Sequence, residues 1–347
     1  MMQSGKKVYT LYFCDKNEKY GKKFQEVLQM RGTFPFEVKV FTDYKKIFLQ
    51  ESSEENIIFL TTEEYETIQK NEKDRKEMTK RRELLILLEN GQERLEIGIP
   101  GIYRYQSVDQ IRKEILQIYG TKRGELQSKG TGRHKTKIIG VYSPIGRCLQ
   151  TSFSLLMGQL LAKEKKVLYL NFEPFSGFRN LLGKSEDKDI TDLVYSLHGK
   201  SNRIIFQIES MVSNLNGVDY IAPANSFMDL SSISEENWII LLQELKASGN
   251  YDYVILDLSE MVQGLLNVLQ ECTMIYTITK PDGFAVSKMM QYENLLMQMD
   301  YSDVLTKTKK CELPIFKKIP YELEQLPYSE LAGYINKLIE NEEKFQE

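Results

Sequence analysis

Apolar and polar positions alternate along the chain in two distinct blocks, each reading as strands interleaved with helices. In the first block, Val8–Cys14, Phe36–Phe41, Asn56–Thr61 and Glu83–Glu89 are short runs rich in aromatic and branched residues, the pattern of buried strands. A shorter run, Ile102–Tyr105, completes the set. Between the strands, Lys19–Met30, Tyr44–Gln50 and Val108–Tyr119 carry helical periodicity, while Glu63–Arg81 is so charged that it predicts one solvated helix. Five strands alternating with helices over about 120 residues predict a doubly wound, flavodoxin-like domain with a parallel sheet. Residues 121–136 then lose all apolar period and turn Gly-, Ser- and Lys/Arg-rich, which marks a linker.

The second block resumes at Lys137. Ile138–Tyr142, Val167–Asn171, Tyr253–Asp257 and Met274–Thr279 predict buried strands, and Asp219–Ile221 a short one. Thr151–Ala162, Ser234–Ser248, Phe284–Met299 and Leu326–Glu340 predict helices. The expected fold class is α/β: two doubly wound parallel-sheet domains, at 1–120 and 137–347, joined by the basic linker at 121–136.

Composition narrows the function. At 347 residues with 41% hydrophobic positions, the chain is long enough for two packed cores and ordinary for a soluble globular protein. The two histidines, His134 and His198, leave little for a histidine metal site. The four cysteines lie far apart with no CxxC pair, as expected of free thiols in a reducing compartment. No apolar run approaches the roughly 20 residues that span a bilayer, and no signal peptide is visible, so a cytoplasmic chain is expected. The net charge of −3 divides into about +1 over 1–120, about +5 over 121–137 and about −9 over 138–347. An acidic second block argues against nucleic-acid binding, which needs a basic face.

The chemistry concentrates in four stretches. Ser143–Thr151 joins a strand to a helix, as in a phosphate-binding loop whose backbone N–H groups and helix N-terminus hold an anion. Where such a loop ends in Gly-Lys-Thr, this chain reads Leu149-Gln150-Thr151, so the hydroxyl is kept and the charge is lost. A charge-assisted hydrogen bond contributes roughly 1.5–3 kcal/mol, so its loss lowers phosphate affinity by about one to two orders of magnitude. Gly146 is the loop's one glycine and the one residue expected to adopt positive φ. Arg147 is its one cation and can fork onto phosphate oxygens in place of the lysine. The strand Val167–Asn171 leads into Glu173 and a Ser176-Gly177 turn, at the end of a strand where ligand crevices form; Asn171 and Glu173 are therefore candidates to orient water. Tyr253–Asp257 places Asp257 at a strand end about 110 residues after the loop, the spacing of a Walker B aspartate. Ile278–Gly283 is a strand end followed by a Pro281-Asp282-Gly283 turn.

These four stretches in this order resemble the deviant-Walker ATPases of the ParA/MinD superfamily, in particular the TadZ/CpaE-like proteins of Flp/Tad pilus assembly. The resemblance covers most of the chain. It implies a SIMIBI P-loop NTPase-like second domain that binds ATP or ADP with low affinity through Gly146, Arg147, Cys148, Leu149, Gln150, Thr151, Ser152, Asp257 and Pro281, with magnesium held by Thr151 and Asp257. It also implies a homodimer, with the apolar residues of Pro144–Leu149 and Phe175–Phe178 on a partner-facing rim. Pilus or secretion assembly proteins are the further partners it implies, met at a cell pole or the inner membrane face. Five positions depart from the family pattern. Its signature lysine falls on Ile145, its phosphate lysine on Gln150, two loop glycines on Arg147 and Leu149, and its second-strand aspartate on Asn171. Hydrolysis is therefore not expected; the alternative is a slow ATPase that uses Arg147. The first domain is similar to a response-regulator receiver without its switch. The third strand ends in Leu60-Thr61-Thr62 where a phosphoacceptor aspartate belongs, Asp15 alone marks the first strand's end, and Arg104-Tyr105 stands in the lysine region. A DNA-partitioning role is disfavoured by the acidic second block, and a membrane-surface helix by the glutamates among Tyr328–Phe345.

Overall fold

The computed structural model describes residues 9–29, 36–50, 56–79, 83–89, 95, 99–122, 136–183, 186–197 and 204–343. The chain forms two compact units, Met1–Lys122 and Arg123–Glu347. Most of the linker expected at 121–136 lies outside the described residues; Thr121 and Lys122 end a helix, and Thr136 is buried, donating to the Tyr251 carbonyl at 2.7 Å.

The first unit runs β1 (Tyr9–Cys14), α1 (Glu18–Gln29), β2 (Phe36–Phe41), α2 (Lys45–Phe48), β3 (Asn56–Thr61), α3 (Thr62–Gln69), α4 (Glu72–Thr79), β4 (Glu83–Leu88), β5 (Gly101–Tyr103) and α5 (Val108–Lys122). Its sheet has the order β2-β1-β3-β4-β5 with every pairing parallel. That is the doubly wound, flavodoxin-like order. Successive side chains on a strand face opposite layers. Tyr12, Cys14, Ile58, Leu60 and Ile86 pack on Tyr44, Ile47, Tyr65 and Ile68, while Phe13 and Phe59 set their rings at a tilt against Phe24 of α1. The single charged helix expected at Glu63–Arg81 is two. Asn71 accepts from the backbone N–H groups of Lys73 and Asp74 and starts α4 afresh. The elements are also anchored rather than solvated, since Tyr65, Ile68 and Met78 are buried.

The second unit runs β6 (Lys137–Val141), α6 (Gln150–Leu161), β7 (Val167–Asn171), α7 (Phe178–Leu182), α8 (Ile190–Ser196), α9 (Ile204–Met211), β8 (Ser213–Leu215), β9 (Val218–Tyr220), α10 (Phe227–Ser232), α11 (Glu235–Ser248), β10 (Tyr253–Asp257), α12 (Leu265–Glu271), β11 (Met274–Thr279), α13 (Gly283–Gln298), α14 (Ser302–Thr306) and β12 (Thr308–Glu312). A 3-10 turn at Leu323–Tyr328 leads into α15 (Glu330–Glu343). The sheet order is β12-β11-β6-β10-β7-β9-β8, parallel except for the β8–β9 hairpin. One face carries Ile138, Leu168, Leu170, Val254 and Leu256 against Trp238 and Leu241 of α11. The other carries Ile139, Val141, Tyr169 and Ile255 against Phe153 and Leu156 of α6 and Leu331 and Ile335 of α15. The central strands β6, β10 and β7 are thus covered on both sides, which explains their unbroken apolar sequence. Their carboxyl ends open together, beside the point where the chain order reverses, where ligands bind in such sheets. Among the described residues no helix is long and apolar enough to cross a membrane.

Candidate phosphate-binding site

The loop leaving β6 is pinned at its start by Tyr142, whose N–H bonds the Tyr276 carbonyl at 3.1 Å, and by Ser143, whose hydroxyl donates to the Ile278 carbonyl at 2.6 Å. It then makes three left-handed turns of backbone, at Gly146 (φ 71°), Arg147 (φ 49°) and Leu149 (φ 66°). The expectation that Gly146 alone would do so is corrected here. Arg147 and Leu149 take the same region with a Cβ, each at a cost of about 1–3 kcal/mol that the surroundings must offset. Two lysines help do so from outside the loop: Lys280 donates to the Arg147 carbonyl at 3.0 Å and Lys288 of α13 to the Ile145 carbonyl at 3.3 Å. Sequence reading missed both. The signal available was Lys280 in the Ile278–Gly283 stretch, where the turn and Pro281 drew the attention and the lysine did not. Asp282 in fact caps α13 through the Ala285 N–H at 3.0 Å, and Pro281 is not among the residues lining the cleft beside the loop.

That cleft encloses ≈ 270 Å³. It gathers the whole run from Gly146 to Ser152, together with Glu173, Phe175 and Glu260. A left-handed residue beside a right-handed one turns successive N–H groups to one side, and the first turn of α6 adds its own. Among the described residues, no protein acceptor meets the backbone N–H of Gly146, Arg147, Leu149, Thr151 or Ser152. Arg147 is exposed at the rim. The arrangement is that of an anion cradle one or two phosphate groups wide.

Gln150 does not face that cradle with its polar end. Its side chain turns inward, where Oε1 accepts from the Ser143 N–H at 2.8 Å and Nε2 donates to Asp257 Oδ1 and to the Leu258 carbonyl, both at 2.8 Å. The other oxygen of Asp257 accepts from the Tyr169 hydroxyl at 2.9 Å and from Asn171 Nδ2 at 3.1 Å. Asp257 is fully buried and does not line the cleft. Burial pushes its carboxyl above the usual range, opposed by the hydrogen bonds from Gln150, Tyr169, Thr151 and Ser154. Asp257 has both oxygens engaged by protein donors and presents neither to the cleft, so as arranged it does not fit a divalent cation there.

Asn171 shapes the turn after β7, its Oδ1 accepting from the Glu173 N–H at 2.9 Å. Glu173 does reach the cleft. Burial, and then the charges of Asp257 and Glu260, push its carboxyl up to about 7. Glu260, across from it, accepts from the Tyr142 hydroxyl at 3.3 Å. Cys148 is buried, which pushes its thiol up. On the expected apolar rim, Phe175 is 84% exposed and Leu149 37% exposed, but Phe178 is buried and stacked on Tyr169.

In the first unit, the carboxyl ends of β1, β3 and β5 bring together Asp15, Thr61 and Arg104. Arg104 Nη2 pairs with Asp15 Oδ2 at 2.8 Å, and its guanidinium lies 4.4 Å from the Tyr20 ring centre. Thr61 caps α3, its hydroxyl accepting from the Glu64 N–H at 3.4 Å.

No protein-family model matches the chain, and no curated protein matches it. Among solved structures it is similar to ATPases of the ParA and MinD type. A ParA family ATPase from Chlorobium tepidum TLS is 18% identical, with a TM-score of 0.43, over 56% of this chain and 81% of that one. The MinD cell division protein of Aquifex aeolicus is 20% identical, with a TM-score of 0.41, over 59% and 79%. An ATP complex of McdA from Cyanothece is 16% identical, with a TM-score of 0.40, over 52% and 70%.

Proposed function

We propose that the chain is an assembly or localisation factor of the TadZ/CpaE kind within the ParA/MinD superfamily. Its second unit holds the phosphates of ATP or ADP weakly and does not turn them over, and its first unit is a receiver-like docking module that takes no phosphoryl group. The observation that carries this reading is the loop at Gly146–Ser152. It keeps an anion-cradling backbone at the start of α6, while the side chain in the lysine position, Gln150, is spent on internal hydrogen bonds. Phosphate is then held by N–H groups and Arg147, which supports binding without the electrostatic stabilisation that phosphoryl transfer requires. Asn171 is an amide and cannot take a proton from water. The pilus or secretion context rests on the order of the four motifs, and a homodimer through the second unit belongs to the same reading.

A second reading is a slow ATPase. Arg147 and Glu173 both line the cleft, and burial pushes the Glu173 carboxyl up to about 7, which is what favours it. Titrating a fluorescent ATP analogue into the full chain and assaying phosphate release separates the two. Weak, ATP-competed binding with turnover indistinguishable from Glu173→Gln is expected. Turnover that Glu173→Gln or Arg147→Ala abolishes would establish the second reading instead.

A further inference from the structure

We propose that Gln150 is a positioning residue, a built-in latch that holds the phosphate loop onto the end of β10 without ligand or metal, so that this cleft takes its phosphate anion independently of magnesium. The second half of the proposal rests on the nucleotide reading above; the first does not.

One primary amide uses its full reach here. Its oxygen holds the first residue of the loop through the Ser143 N–H, and its nitrogen holds both the carboxylate and the following carbonyl at the end of β10. Gln150 is itself the first residue of α6, so the two ends of the loop and the neighbouring strand are joined through one side chain. An amide is the group that can do this, because it both accepts and donates. A lysine at the same place could donate to Asp257 and Leu258 but could not accept from Ser143.

The same contacts remove the metal site. A magnesium ion and its waters need carboxylate oxygens open toward the ligand. On Asp257 one oxygen receives Gln150, and the other receives Tyr169 and Asn171. These neutral donors stabilise the buried charge, which a cation would otherwise do. Lys280 and Lys288 add to the latch by holding loop carbonyls outside. What remains for an anion is backbone N–H and Arg147, neither of which requires a metal. The ligand class is the phosphate end of a nucleoside di- or triphosphate, bound as the metal-free anion.

Hydrogen exchange on the full chain, resolved at the Ser143 amide that Gln150 holds, tests both halves in EDTA, in magnesium, in ATP with EDTA and in ATP with magnesium. The expected result is slow exchange of that amide in all four, with a fluorescent ATP analogue binding equally, within about twofold, in EDTA and in magnesium. Gln150→Ala should speed exchange at Ser143 in EDTA by about tenfold or more, since it deletes the acceptor. Gln150→Glu keeps the acceptor for Ser143 but sets a second carboxylate against Asp257. Its Ser143 amide should be slow only when magnesium is added, a response that a merely space-filling role for residue 150 does not produce. Wild-type exchange at Ser143 that is fast in EDTA and slowed by magnesium or Mg-ATP overturns the latch, and needs no variant to fold. Analogue binding that disappears in EDTA overturns the metal independence. No binding under either condition, with a slow loop, leaves the latch standing and removes the nucleotide reading instead.

Discussion

Asp257 is the residue on which the second unit's polar interior turns. Gln150, Tyr169 and Asn171 all donate to it, and all four residues are buried. Replacing it with alanine leaves those donors without an acceptor at a buried site, where each unsatisfied group costs about 1–3 kcal/mol. Asp257→Ala is therefore expected to lose about 3 kcal/mol or more by urea unfolding, and a loss below about 1 kcal/mol would contradict the network. Glu173 gives a prediction in pH. Its carboxyl is raised from 4.5 to about 7, so between those values the folded chain binds more protons than the unfolded one. Its contribution to stability is present at low pH and is lost as pH rises through about 7. Urea midpoints should fall between pH 5 and pH 8 by more in the wild type than in Glu173→Gln; equal slopes in the two proteins would remove Glu173 as the source. The sequence named Gln150 and Asp257 as site residues, but not that they bond each other, because a contact at a separation of 107 positions leaves no local pattern.

At the scale of elements, the buried strands of both sheets were the legible part, whereas the edge strands β8 and β12 carry no apolar run. Val167–Asn171 and Tyr253–Asp257 are apolar up to their last residue because helices cover both faces, and these two and Met274–Thr279 were read to the residue. The small elements between β7 and α11 were not. Helices α7, α8 and α9 run 5 to 8 residues, too short to show a period above noise. The β8–β9 hairpin did carry a signal, Asn216-Gly217, which takes positive φ at both positions (51° and 88°), but its strands are only three residues each. In the first unit the strand ends themselves make a prediction. Thr61 at the end of β3 offers a hydroxyl already engaged as a helix cap, and Arg104 from the end of β5 pairs with the Asp15 carboxylate that a metal would need. The full chain incubated with acetyl phosphate and magnesium should show no added phosphoryl mass at Thr61 or Asp15. A phosphoryl group mapped to either residue would restore the receiver switch.

For the molecule as a whole the open question is what covers the apolar surface of the second unit. Phe175 stands 84% exposed on the cleft's rim, with its ring centre 6.0 Å from that of Phe227, and Leu149 is exposed in the loop itself. On α13, whose Lys288 holds the same loop, Phe284 is 86% exposed and Met290 is exposed as well. Isolated apolar side chains on a surface need no explanation, but Phe175 and Leu149 on the cleft, with further exposed apolar residues on the helix that braces its loop, match the composition of an interface. A second copy of the chain is the partner that the superfamily resemblance implies. Because the loop is braced by Gln150, Lys280 and Lys288 rather than by a ligand, the surface it presents exists without nucleotide. The full chain is therefore expected to dimerise in both the presence and the absence of Mg-ATP. Light scattering over a range of concentrations reads this directly, with Phe175→Glu as the variant that should shift the equilibrium toward monomer by about tenfold or more, as an aspartate or glutamate in an apolar contact does. A monomer at tens of micromolar in both conditions would remove the dimer. A dimer formed only with Mg-ATP would show that the loop still answers to its ligand, and would favour the slow ATPase over the latched, non-hydrolysing factor.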